Sequence, residues 1–332
     1  MENQTPVQFD EGMLDVGDGH SIYWRAQGPR DAPVMLVVHG GPGGAMNVKW
    51  AEVLEQDKWR VVFFDQRGCG KSTPFGKLEA NGIDALVGDM EKLRVALQIE
   101  QWAIFGGSWG TTLGLAYGVA HPERCTGFLL RGIFLARRED IDWFLWDVRR
   151  VFPEAHRAFL DAIEAACGQR PANGQDILRM TEAPLARFDE AGTRLARAWT
   201  QYETTLSVVN KPEKEPAEEE KRPSAEANAA AISMALLERH YMANELPPIP
   251  LLPLIARIAH LPCRIVHGRF DMVCPADQAL DLAAHWPGAE LTVVNAAGHW
   301  TFEPGNVAAL RAGAAALADA IRADEARDRL RR

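Results

Sequence analysis

Five short runs along the chain are apolar at nearly every position rather than at alternate ones: VMLVVHGGPGG, RVVFFDQRGCG, WAIFGGSWG, CRIVHGRFD and ELTVVNAAGHW. Continuous apolar runs of this length, most of them stopping abruptly at glycine, are the pattern of strands covered on both faces of a parallel sheet. Helix-like stretches lie between them, such as IDALVGDMEKLRVALQI and TTLGLAYGVAHPE. Strands alternating with helices predict an α/β fold with a mostly parallel central sheet and ligands at the carboxyl ends of its strands. Ahead of the first run, LDVGDGHSIYWRAQG reads as a hairpin around a GDGH turn.

The alternation breaks between about Gly132 and Pro250. That stretch offers no strand pattern and reads as amphipathic helices rich in Trp, Arg and Ala: EDIDWFLWDVRRVF, EAHRAFLDAIEAAC, PLARFDEAGTRLARAWTQYETTL and AEANAAAISMALLERHYM. Within it, NKPEKEPAEEEKRPS is charged, Pro-bearing and poor in apolar residues, and reads as a flexible loop or a poorly ordered segment. ELPPIPLLP marks the return to the sheet. The expected organisation is an α/β core formed by residues 1–131 and 251–332, split by a helical insertion over 132–250.

Composition narrows the function classes. At 332 residues and 47% hydrophobic, the chain can bury a sizeable core. A net charge of −9 argues against a surface that tracks nucleic-acid phosphates. No apolar run approaches the ~20 residues needed to span a bilayer, and the polar, acidic N-terminus lacks the order of a secretory signal. Five scattered cysteines show no metal-ligand spacing and read as free thiols. The expectation is a soluble cytoplasmic protein without metal or cofactor.

The strongest chemical signal is GGSWG. Gly106, Ser108 and Gly110 fit G-x-S-x-G between a strand and a helix, the setting of a nucleophile elbow. A serine needs a base and a group that orients the base. In an α/β enzyme of this kind these follow in the order Asp or Glu, then His, each just beyond a late strand. Asp271 follows CRIVHG and His299 follows ELTVVNAAG. His267 lies within a strand end and reads as a packed, hydrogen-bonded histidine. His20, His121, His156, His260 and His285 fall in turns or helices. A tetrahedral oxyanion would need two donors: the N–H of Trp109, and one from the glycine-rich HGGPGG loop at 39–44. GCGKS at 68–72 is not a phosphate loop, because Phe64 stands where its first glycine should be.

Taken together, HGGPGG, FFDQRGCGKSTP, FGGSWGTTLGLAY, HPERC, LRGIF, ERHYMAN and HGRFDMVCP, in that order, resemble the proline iminopeptidases (prolyl aminopeptidases) over nearly the whole chain. The resemblance implies an α/β-hydrolase fold with an inserted all-helical cap, and a serine exopeptidase that removes N-terminal proline from short peptides. It supports Ser108, Asp271 and His299 as the triad, with Gly41 and Trp109 as oxyanion donors. It further implies that Glu203 and Glu238 bind the substrate's amino terminus, with Arg131 fixing their geometry. Phe134, Phe144 and Cys274 would form the proline pocket. Two positions depart from the family pattern: Tyr202 replaces the usual Trp, and Trp300 the usual Ser after the histidine. An esterase, a lactonase or a broader aminopeptidase on the same core is the alternative, and a non-catalytic binding protein on this fold the more distant one.

Overall fold

The computed structural model describes residues 9–54, 58–209 and 223–331; most of the charged 210–224 segment lies outside the described residues. Strands β1 (Phe9–Gly17) and β2 (His20–Gln27) form the expected antiparallel hairpin, turning through Gly17, Asp18 and Gly19, all at positive φ. Then follow β3 (Val34–Val38), α1 (Trp50–Val53), β4 (Arg60–Phe64), α2 (Ile83–Ala96), β5 (Trp102–Ser108), α3 (Trp109–Ala120) and β6 (Cys125–Ile133). After a helical segment the chain returns as β7 (Cys263–Gly268), α9 (Asp277–His285), β8 (Ala289–Val294) and α10 (Pro304–Arg331). The eight strands form one sheet in the order β1-β2-β4-β3-β5-β6-β7-β8, parallel from β4 to β8.

Four of the five apolar runs behave as their composition requires; the fifth, β8, lies at the edge of the sheet and has no fully buried residue, because no strand covers its outer side. Alternate residues of one strand serve opposite cores: Met35 and Val37 pack with Trp50, Trp59 and α10 beneath the sheet, Leu36 and Val38 with α2 and α3 above it. Every residue of β5 is buried, including Ser108 at its carboxyl end.

Between β6 and β7 the described residues contain helices and no strand: α4 (Arg138–Leu145), α5 (Pro153–Cys167), α6 (Gly174–Ala186), α7 (Glu190–Ser207) and α8 (Ala225–Asn244). Three details differ from the sequence reading. Strand β6 was not expected, and its end overlaps the stretch read as helical. The stretch from Glu139 to Phe152 is not one helix; α4 ends at Leu145 and a 3-10 turn follows over Asp147–Arg150. PLARF belongs not to α7 but to the end of α6 and the break beyond it, where Phe188 takes a positive φ. Asp189 then caps α7 by accepting the Gly192 N–H at 2.7 Å.

Candidate active site

Ser108 ends β5 and begins α3 at φ 57°, ψ −128°, a conformation that residues with a side chain rarely adopt. The flanking glycines are steric necessities. A Cβ on Gly110 would lie 2.0 Å from the Val38 carbonyl oxygen, and one on Gly106 would lie 2.4 Å from the Gly110 carbonyl oxygen. Thr111 steadies the turn by donating to the Ser108 carbonyl at 2.7 Å.

Asp271 and His299 meet at the carboxyl ends of β7 and β8. His299 Nδ1–H donates to Asp271 Oδ2 at 2.6 Å, which leaves Nε2 as the basic nitrogen. Asp271 Oδ1 accepts the N–H groups of Val273 and Cys274 at 3.1 and 2.8 Å. Burial opposes its charge, but His299, His267 and the Cys274 N–H outweigh burial and hold the carboxyl below its usual range. His267 is packed as expected: Nδ1 accepts the Ile133 N–H at 3.1 Å and Nε2 donates to the Cys274 carbonyl at 2.9 Å. Burial pulls its pKa down, so it stays neutral.

The 39–44 loop passes against Ser108: a Cβ on Gly40 would lie 3.1 Å from the Ser108 Cβ. Gly41 carries a positive φ, and Trp109 opens α3 with a first-turn N–H that has no partner within its helix. Gln66, which sequence reasoning missed, ties these parts together. Its side chain donates to the His39 carbonyl at 2.9 Å and accepts the Trp109 indole N–H at 3.0 Å. Helix α8 lies on the same loop, where Ser233 Oγ donates to the Gly43 carbonyl and a Cβ on Gly43 would lie 2.3 Å from the Ser233 carbonyl oxygen.

A small, narrow cavity separates sheet from helices. Gly41, Ser108, Phe134, Phe144, Glu203, Glu238 and Cys274 all line it, joined by Met242 and Val273, which sequence reasoning did not single out. A wider surface cleft around Pro29, Arg60 and Arg322 holds none of these groups. Glu203 projects from α7 and Glu238 from α8. Glu238 is buried and accepts the Trp199 indole N–H at 2.5 Å. Burial, reinforced by the charge of Glu203, pushes its pKa well up against the opposing Trp199 hydrogen bond. Burial likewise pushes Glu203 up to about 7, with Arg131 pulling the other way. The Cys274 thiol is raised by burial and by Asp271, and so stays protonated.

Arg131 is buried behind the nucleophile turn. Its Nη1 donates to the His299 carbonyl at 2.5 Å, and its Nε lacks a hydrogen-bond partner. It influences Glu203 through space but forms no ion pair with it among the described residues. Tyr202 turns away from the cavity, stacking on Phe159 at 4.7 Å and donating to the Phe144 carbonyl at 2.7 Å. Trp300 is partly exposed, and its backbone N–H donates to the Ser207 carbonyl at 2.9 Å. Among the described residues no cluster of three or more His, Cys, Asp or Glu could hold a metal ion. No helix among them is long and apolar enough to cross a membrane.

A strained serine after a central strand, a His–Asp pair beyond later strands and a helical insertion above them define an α/β hydrolase. The family model described as alpha/beta hydrolase fold matches residues 33–305. A proline iminopeptidase of Xylella fastidiosa is 41% identical over 91% of this chain and 94% of its own. One of Arabidopsis thaliana is 39% identical over 91% of this chain and 78% of its own. The crystal structure of proline iminopeptidase from Mycobacterium smegmatis has the same fold, with a TM-score of 0.61 at 19% identity, covering 95% of this chain and all of its own. The chain belongs to the proline iminopeptidase family of the α/β hydrolases.

Proposed function

We propose that the protein is a serine exopeptidase that releases N-terminal proline from short peptides, with the 132–250 segment as the roof of its site. One observation carries this reading: two carboxylates, the half-buried Glu203 and the buried Glu238, free of ion pairs among the described residues, line one small cavity with a strained serine. Two acids left facing each other at a cost in desolvation suit a ligand that arrives with its own positive charge. The protonated imino group of an N-terminal proline supplies that charge. Phe134 and Phe144 offer apolar walls to its rigid ring.

In the proposed cycle Ser108 attacks the prolyl carbonyl while His299 Nε2 takes the hydroxyl proton. Asp271 holds the imidazole in the required tautomer and stabilises its cation. The tetrahedral oxyanion is received by the main-chain N–H groups of Trp109 and Gly41. Collapse breaks the C–N bond, and His299 gives its proton to the departing amine. Water then attacks the prolyl ester with His299 again as base, releasing proline and restoring the Ser108 hydroxyl. Five free cysteines support a reducing, cytoplasmic setting. A narrow cavity between sheet and helices favours short peptides over folded chains.

Release assays across amino-acid arylamides test the reading directly. Proline arylamide is expected to be cleaved, whereas its N-acetyl derivative is not. Equal turnover of the blocked compound would overturn the role given to the glutamates. Preference for simple acyl esters over any free-amine substrate would point to an esterase.

A further inference from the structure

His299 sits on a short turn whose main chain is held from several sides. The Gly298 N–H donates to Glu303 Oε2 at 2.5 Å, and the Gly298 carbonyl accepts from Asn306 Nδ2 at 3.1 Å. Arg131 holds the His299 carbonyl, and the Trp300 N–H donates to the Ser207 carbonyl at 2.9 Å. Ser207 is the last residue of α7, one turn beyond Glu203, and its hydroxyl donates to the Glu203 carbonyl at 2.8 Å. The second oxygen of Glu303 reaches the same place, accepting the Val209 N–H at 2.9 Å. One carboxylate therefore bridges the histidine turn and the chain leaving α7. The two surfaces are in close contact: a Cβ on Gly298 would lie 2.9 Å from the Ser207 carbonyl oxygen and 3.1 Å from Val209 Cγ2.

Glu303 immediately precedes α10, where the usual task of an acidic residue is to cap its own helix. Its carbonyl does accept the Val307 N–H at 3.0 Å, but both carboxylate oxygens turn away to the two loops. The residue is only 4% exposed. Two charge-assisted hydrogen bonds and the positive end of the α10 dipole offset the loss of hydration. A buried charge used this way acts as a two-point clamp.

We propose that Glu303 is a positioning residue that fixes α7, and with it Glu203, relative to His299. Seating of the substrate amine and alignment of the imidazole are then set by the same carboxylate. The inference rests on the prolyl peptidase reading above.

Glu303→Gln keeps the size of the side chain but turns an amide N–H toward a main-chain N–H. Wild type, Glu303→Gln, Glu203→Gln and the double variant are compared on proline p-nitroanilide and on p-nitrophenyl acetate. Rates are corrected for active fraction by titration with a serine-directed phosphonylating reagent. Glu303→Gln is expected to lower kcat on both substrates and to raise KM on the prolyl one only, with kcat/KM there falling about tenfold or more. Combined with Glu203→Gln it should cost less than the product of the two single effects, because the amine contact is already lost. Equal losses on both substrates, or a multiplicative double variant, would overturn the proposal.

Val209→Pro gives a second route if Glu303→Gln does not fold. It deletes only the cap-side donor, and the preceding residue Val208, at φ −120° and ψ 124°, already has a conformation that tolerates a following proline. This variant should raise KM for the prolyl substrate and leave ester hydrolysis unchanged; an unchanged prolyl KM counts against the clamp. If the wild type releases no proline, or Glu203→Gln retains full kcat/KM, the underlying reading fails and takes the proposal with it.

Discussion

On the sheet side of the cavity, the buried carboxylates are matched within the protein. Asp271 meets His299 at 2.6 Å and two main-chain N–H groups besides, and deeper in the core Arg67 lies 2.6 Å from Asp89. On the cap side, Glu203 and Glu238 confront each other with an indole N–H for support and a distant guanidinium. Asp271 is held below its usual range, whereas burial raises Asp89 despite Arg67 and raises both cap-side acids. A settled pair serves as machinery that must be in one state before substrate arrives. Under the proposed reading an unsettled pair is stabilised by the ligand itself, so the cap would give up stability in the empty enzyme to gain discrimination in the occupied one.

Removing the sheet-side nucleophile is the most severe way to break this comparison. Ser108→Ala is expected to lower kcat on every substrate by about 10⁴- to 10⁶-fold, without loss of the folded state by circular dichroism. Residual activity near wild type would place the nucleophile elsewhere.

Breaking the cap side should be selective rather than general. Glu203→Gln or Glu238→Gln is expected to lower kcat/KM on prolyl arylamides by about 10- to 1,000-fold, while hydrolysis of an amine-free ester changes by less than about threefold. Wild-type kcat/KM on the prolyl substrate should also fall below pH 7, where Glu203, with its pKa near 7, takes up a proton and loses its attraction for the cation. The ester profile, and the Glu203→Gln profile on the prolyl substrate, should lose the part of that fall contributed by Glu203 and keep only the part due to protonation of the catalytic base.

The smallest effect concerns stability. Because the folded protein raises Glu203 from 4.5 to about 7, it binds more protons than the unfolded chain between those values. Stability contributed by this group is therefore full below about pH 4.5 and lost as pH rises through 7. Glu203→Gln should melt a few degrees (~2–4 °C) above wild type at pH 8, and the difference should vanish near pH 5. A variant that melts lower at pH 8 would show the carboxylate to be satisfied in the empty enzyme after all.

Sequence pattern alone reaches far into this molecule where chemistry is local. The elbow needs glycine on both sides of Ser108, and the close approach of Gly110 to Val38 supplies the reason. Asp271 and His299 follow strands whose apolar runs are unmistakable, and Glu203 lies one turn from the buried Trp199 on the face that α7 turns inward. Strand β6 is harder to read, because CTGFLLRGI is leucine-rich with only one Ile, and periodicity does not separate such a run from a buried helix. The end of α6 is masked by Pro184, which sits in its last turn and imitates the start of the next helix. Gln66, Trp199 and Glu303 could not be read at all. The partners that give them their roles, His39 and Trp109 for Gln66, Glu238 for Trp199 and Val209 for Glu303, lie 27 to 94 residues away, and only the folded chain brings them within hydrogen-bond reach.

Gly43 carries a consequence for the range of substrates. With the α8 backbone against it at Ser233, the clearance over the 39–44 loop is a main-chain dimension, cast where two backbones touch. Trimming Phe134 or Phe144 widens the chamber sideways and leaves its ceiling where it is. A broader diet in an enzyme of this build calls for a reshaped loop or a shifted helix, a larger evolutionary step than any change in its walls.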